Sequence, residues 1–310
     1  SVSQFNQNKP IANIVNAVSS LFFKNNFMKL YEKNFVTANF SREIMNGLNL
    51  TFGAEYAERK PLYNTTDYAF IKSDDLYSSN NPLLPNDFLN QPFQKNNLVK
   101  TNINATIKFG QRYYSRPDGK YSFNNGKYPT INLGYEKTMA ATNKDYEYDL
   151  VTAKVSDEFS IGNKGNLQVN LMAGKFFNAE NIAFTDFKHF NGNQTHISHG
   201  MSYLTEFNLL PYYSSSTNDS YFETHLEHND KGYLMNKLPL LKKLQSQLVL
   251  GFHNLAIPDR TPYREFTVGL DNLGIGKFKL LRIDYIRSYQ NGFQGDGVLF
   301  GIKLLEMFRN

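Results

Sequence analysis

The chain has no cysteine among its 310 residues, so disulfides and thiolate metal sites are excluded. It has no apolar run of the roughly 18 residues that a membrane helix requires. A charged start followed by an apolar stretch is also missing, since Ser1 to Pro10 is polar; no signal peptide is visible. The net charge is +5 and the pI about 9.0, yet Lys and Arg form no concentrated block. That dispersal argues against a nucleic-acid partner. Neither a G-x-S-x-G nor an HExxH motif occurs, so no catalytic residue is assigned.

What is present is alternation. A mean hydropathy of −0.49 belongs to a water-soluble protein, but 41% of residues are hydrophobic and 15% aromatic, including 20 Tyr and 26 Phe. A transmembrane barrel reconciles these values, because only every second strand residue meets lipid. From Leu48 to Tyr56, Leu48, Leu50, Phe52, Ala54 and Tyr56 oppose Asn49, Thr51, Gly53 and Glu55. From Val99 to Phe109 an apolar set opposes Lys100, Asn102, Asn104, Thr106 and Lys108. The same period predicts strands at Lys33–Ile44, Ile131–Met139, Tyr146–Phe159, Leu167–Ala173, Tyr221–His228, Leu248–Ala256, Glu265–Asp271 and Leu281–Tyr289. A last strand is expected over Val298–Asn310, where Val298, Phe300, Ile302, Leu304 and Phe308 share a face. These make about eleven, and several run longer than ordinary globular strands.

The expected fold class is therefore all-β, a transmembrane antiparallel β-barrel of the bacterial outer membrane, with the barrel over residues 33–310. Residues 1–32 precede it as a loop or partial strand, with Ile11–Phe23 a loop helix or part of an earlier strand. Short connections (Met45–Gly47, Gly162–Gly165) are expected on the periplasmic side and long polar ones (Lys60–Asn97, Phe177–Tyr213) on the other. Leu238–Leu244, behind Pro239, is expected to form a short amphipathic helix. Eleven is odd, and a conventional single-chain bacterial barrel is even, so further strands are expected upstream.

Four segments carry a resemblance: LYEKNFV (30–36), LTFGAEYAERKPLYNTTDYAF (50–70), FKHFNGNQT (187–195) and LPYYSSSTNDSYFETHLEHNDKGYLMNKLPLLKKL (210–244). They resemble the barrel portion of an uncharacterised Bacteroidota outer-membrane family with a carboxypeptidase-regulatory-like N-terminal domain. That barrel in turn resembles the BamA/TamA-type assembly superfamily, in which sixteen strands close and the sixth extracellular loop folds inward. RPDGKY (116–121) and LLRIDYIRSY (280–289) are similar to its turn before the ninth strand and to its penultimate strand. The resemblance implies that this chain supplies the last eleven strands. It departs at Ser198–Thr217, which lacks the superfamily's Arg-Gly-aromatic loop tip, and that departure argues against a direct insertase role.

The candidate site is accordingly non-catalytic, with no cofactor and no metal. Glu223, His225, Glu227, Arg282 and Asp284 are expected as a lumen-facing polar network. The alternatives for these groups are a cation site at Glu223, His225 and Glu227, and pore-lining charge that selects solutes. His189, His196, His199, His228 and His253 are read as lumen or loop side chains, against a metal-site or hydrolase alternative. The loop over 177–213 is expected to fold into the lumen through Phe187, Phe190, Tyr203, Phe207 and Tyr212, because it holds too many apolar groups for an exposed polar loop. Phe308 is expected to serve as the C-terminal assembly signal. The expected function is an outer-membrane component of envelope biogenesis or outer-membrane protein assembly and transport, acting as a docking or scaffold barrel. The alternative is a solute transporter or a TonB-dependent-receptor-like barrel. Expected partners are outer-membrane lipids, lipopolysaccharide, and outer-membrane or periplasmic proteins of an assembly or secretion complex.

Overall fold

The computed structural model describes residues 1–71, 76–123, 126–195, 197–198, 203–239, 241–276 and 278–302. Each alternating segment contributes a strand among the described residues. A short β1 (Val2–Gln4) and a helix α1 (Asn13–Phe23) come first. Then follow β2 (Leu30–Met45), β3 (Leu48–Pro61), β4 (Asn96–Lys108), β5 (Arg112–Arg116), β6 (Gly119–Phe123), β7 (Thr130–Met139), β8 (Asp149–Ser160) and β9 (Asn166–Phe177). The series ends with β10 (Ile197–Ser198), β11 (Ser220–Asn229), β12 (Gln247–Ala256), β13 (Tyr263–Ile275), β14 (Phe278–Tyr289) and β15 (Phe293–Ile302).

One sheet holds thirteen of these strands, in the order β1-β2-β3-β4-β7-β8-β9-β11-β12-β13-β14-β15-β10, and β5 and β6 form a separate hairpin. Every pairing in the large sheet is antiparallel except that of β10 on β15. The order runs from β1 to β10 without its ends meeting among the described residues. The protein is thus all-β around a large antiparallel sheet. No helix among the described residues is long and apolar enough to cross a membrane.

Register makes the two faces differ. Phe40, Phe52, Ile103, Tyr135 and Val151 stand directly opposite one another on five successive strands. Farther along, Leu250, Val268, Tyr285 and Val298 form the same kind of row. Adjacent side chains in such a row touch laterally, yet among the described residues they stay open on the outer side: Phe40 is 59% exposed and Val268 52%. A one-residue slip would move this entire apolar set to the other face. The opposite face is polar and holds the long connection between β9 and β11, residues 178–219. Two apolar clusters lie there. Tyr148, Phe176, Phe190, Phe207, Leu210, Tyr221, Leu255 and Tyr263 form one. Phe5, Tyr31, Phe93, Tyr146 and Ala183 form the other and tie the N-terminal turn to three connections.

Several expectations shift in detail. The last strand begins at Phe293, not Val298, and residues 303–310, including Leu304 and Phe308, lie outside the described residues. Within Ile11–Phe23, Asn13–Phe23 is a helix, closed by Lys24 in the left-handed conformation (φ 54°); the Lys24 N–H reaches the Ser20 carbonyl and the Asn25 N–H that of Ser19. Behind Pro239 the chain makes a four-residue 3-10 turn, Leu241–Leu244, instead of an amphipathic helix. The connection at Arg112–Tyr128 contains a hairpin, with Tyr114 stacked on Tyr121 at 5.5 Å. Such local pairing is invisible to a search for long alternation because each arm has only five residues.

Candidate functional site: a loop clamped to the polar face

Four groups of contacts hold residues 178–219 on the polar face. The first is ionic. A 3-10 turn at Phe184–Asp186 presents Asp186 to Arg59 of β3, whose Nη1 lies 2.6 Å from Oδ2, and to Lys100 of β4 at 3.3 Å from Oδ1. Arg59 also donates to Asn96 Oδ1 (2.9 Å) and Thr185 Oγ1 (3.2 Å). Lys100 lies 3.1 Å from Glu136, which accepts from Tyr148 Oη at 2.6 Å. Burial alone would raise the Asp186 carboxyl, but the Arg59 and Lys100 charges hold it below the usual carboxylate range. Buried charges persist where they are paired in this way.

The second group follows two residues later. Lys188 Nζ is 3.1 Å from Glu223 Oε1 and lies over the rings of Tyr221 (5.0 Å) and Phe190 (5.6 Å). Burial opposes its charge, and Glu223 more than restores it, raising the Lys188 pKa. The Tyr221 ring stands over Gly174 of β9, where a Cβ would collide with it. Next to Lys188, His189 shares a 2.7 Å hydrogen bond with Ser216 Oγ through Nδ1 and packs against Phe184 and Tyr213. Burial depresses its pKa to about 3, so it is neutral near pH 7.

The third group holds the returning limb. Phe207 is fully buried, 4.8 Å from the His225 ring and 6.0 Å from Tyr263. The backbone N–H groups of Asn208 and Leu209 donate to the two oxygens of Glu265 at 2.7 and 2.8 Å, and Tyr263 Oη donates to the same carboxylate at 2.7 Å. The Asn208 amide also meets His253 and Thr267, both at 3.3 Å. His225 and His253 approach through their Nδ1 atoms at 2.8 Å, a contact in which one ring donates and the other accepts.

The fourth lies at the far edge of the sheet. Arg282 bridges Glu227 (2.8 Å) and Asp284 (2.8 Å), and its guanidinium lies 3.6 Å from the centre of the Tyr203 ring. Nearby, Ile197 and Ser198 pair with Phe300 and Gly301.

Glu223, His225, Glu227, Arg282 and Asp284 all lie on this face, in two separate clusters: Arg282 with Glu227 and Asp284, and Glu223 with Lys188 and His225. Phe187, Phe190, Tyr203 and Phe207 accompany the loop. Tyr212 packs against Phe27, 5.7 Å away. His228 bonds the Lys164 carbonyl at 2.9 Å; His196 and His199 lie outside the described residues. Among the described residues no group of His, Asp or Glu is arranged to hold a metal.

The residues that grip the loop backbone and Asp186 were not distinguishable in the sequence. Arg59 and Asp186 stand 127 positions apart, and Glu265 sits in a strand whose alternation marks it only as polar.

Residues 1–270 match the family described as "Family of unknown function (DUF5686) C-terminal domain". The chain belongs to this family. No curated protein matches it. The clamped loop and the strands from β1 through most of β13 fall within the matched region, whereas the end of β13 and all of β14 and β15, with Arg282 and Asp284, fall beyond it.

Proposed function

We propose that this chain forms the wall of an outer-membrane β-barrel of the BamA/TamA-like type, acting without catalysis as a docking or scaffold component in envelope biogenesis or outer-membrane protein assembly. One observation carries the reading: apolar side chains form continuous cross-strand rows on the uncovered face, while the other face is polar and covered by a clamped loop. Soluble monomers rarely leave so extended an apolar surface open, and a lipid-facing band with a polar interior is the arrangement of membrane strands. Strands β2, β3, β4 and β8 have 16, 14, 13 and 12 residues, enough for a tilted crossing.

On this reading the uncovered rows meet lipid and lipopolysaccharide, and the loop ends offer surfaces to outer-membrane or periplasmic proteins. A solute-transporter reading draws on the part of the polar face that the loop leaves open. The test is localisation of the full-length protein. Recovery in the outer-membrane fraction with heat-modifiable gel mobility is expected, whereas a soluble, heat-insensitive periplasmic protein would overturn the proposal. A large, stable single-channel conductance after reconstitution would favour the transporter.

A further inference from the structure

The loop fills the polar face unevenly. Between its first limb and strands β4, β7, β8 and β9 it leaves a cavity of about 430 Å³, within the roughly 300–1,000 Å³ of small-ligand sites. Charge accounting inside it is uneven too. Asp186 is committed to Arg59 and Lys100, Glu136 to Lys100, and Lys188 to Glu223. Lys154 of β8 is the remaining charge, half-buried and with no ion-pair or hydrogen-bond partner among the described residues. A half-buried ammonium without a counter-charge attracts an anion more strongly than one in open water, because screening is weaker there.

The wall beside Lys154 is made of amides and hydroxyls. Asn132 stands directly opposite Lys154; its oxygen accepts from Thr106 at 2.8 Å, which leaves its NH₂ unspent among the described residues. Asn104 gives its NH₂ to Asn102 at 3.1 Å and keeps its oxygen. Gly134, with no side chain of its own, leaves room for Asn104 and Thr152 to lean over it; a Cβ there would collide with the Thr152 hydroxyl. Donors and acceptors therefore alternate on one surface, which suits groups that do both, as sugar hydroxyls do. Phe187 is half-buried and lines the same cavity, offering an apolar surface to the C–H face of a pyranose ring.

We propose that this cavity binds a small anionic saccharide, its acidic group on Lys154 and its hydroxyls on Asn104, Asn132 and Thr152. The inference stands apart from the docking reading, since it rests on the loop-covered face alone. The test is calorimetric titration of the full chain in detergent or lipid with digalacturonate, glucose 6-phosphate and neutral maltose. At least one acidic probe should bind saturably and more tightly than maltose by about tenfold or more, the scale of a hydrogen bond to a charged group. Which acidic probe prevails distinguishes a carboxylate from a phosphate ligand. Lys154→Gln should abolish that preference and Lys154→Arg should restore most of it. Lys164→Gln, the same charge change in the turn after β8, should leave binding unchanged, with all variants keeping the parent's thermal unfolding. No saturable binding by any probe, equal binding of acidic and neutral sugars, or an acidic preference that survives Lys154→Gln would each overturn the proposal.

Discussion

At the scale of single residues, the loop's attachment depends on buried charges that have partners. Removing one partner of such a pair leaves the other buried and uncompensated, a loss of roughly 3–5 kcal/mol. Asp186→Ala should destabilise the folded protein on that scale, read by urea titration, because Arg59 and Lys100 would both lose their shared carboxylate. Asp186→Asn keeps an acceptor for Arg59 and should cost less; an unaltered midpoint for the alanine variant would show that water reaches Arg59 easily. His189 supplies a pH dependence of definite sign. Its folded pKa is depressed by burial to about 3, below its ordinary 6.5, so the unfolded chain binds a proton that the folded chain refuses. Stability is unaffected above about pH 6.5 and falls as pH drops from there toward about 3, by up to about 1.4 kcal/mol per pH unit. His189→Asn, which keeps a polar atom near Ser216, should flatten the part of the acid slope that His189 supplies. An unchanged slope between pH 6 and 4 would assign the effect to carboxylates.

At the scale of elements, the returning limb of the loop is the section that one side chain holds most directly. Glu265 accepts two backbone N–H groups and the Tyr263 hydroxyl, and buried donors left without an acceptor cost about 1–3 kcal/mol. Glu265→Ala should therefore speed protease cleavage within residues 204–210 on the intact protein, while the parent resists cleavage there. Rapid cleavage of the parent would mean that the limb leaves the sheet in solution. How far the elements were legible follows from their period. All eleven long strands announce themselves because alternation is a local property of successive residues, and the segment read at Tyr146–Phe159 overlaps all of β8 except Ser160. Their ends were less legible: β9 runs on to Phe177 past Ala173, and β2 begins at Leu30. The aromatic content of the loop signalled a need for burial, but the partners that satisfy it, Arg59, Glu265 and Tyr263, come from strands far away in sequence. Period alone ranks those residues as ordinary polar or aromatic positions. Contact across a sheet is set by register and loop path together, and neither is written in a single segment.

At the scale of the whole molecule, the two faces of the sheet explain how a chain with a mean hydropathy of −0.49 can carry so large an apolar surface. Averaging over residues mixes a polar face and polar connections with an apolar face that occupies every second position. The consequence is an asymmetry that single arginines can measure. Ile103 belongs to the first apolar row, Leu50 lies on the same face of β3 two residues from Phe52, opposite Arg42 and Ala105, and Asn102, next to Ile103 in β4, points to the polar side opposite Gly53. If the rows face hydrocarbon, Leu50→Arg and Ile103→Arg should each lower the free energy of folding into lipid vesicles by about 2–4 kcal/mol near the bilayer midplane. Asn102→Arg places its charge on the amide-lined side and should cost far less. The comparison controls for strand propensity and for side-chain volume, since the same arginine is placed at adjacent positions of one strand. Folding in detergent micelles, where an arginine can reach water at the micelle surface, should shrink the difference. A loss of equal size at Ile103 and Asn102 in vesicles would remove lipid as the solvent of the uncovered face and leave a protein partner as what covers it.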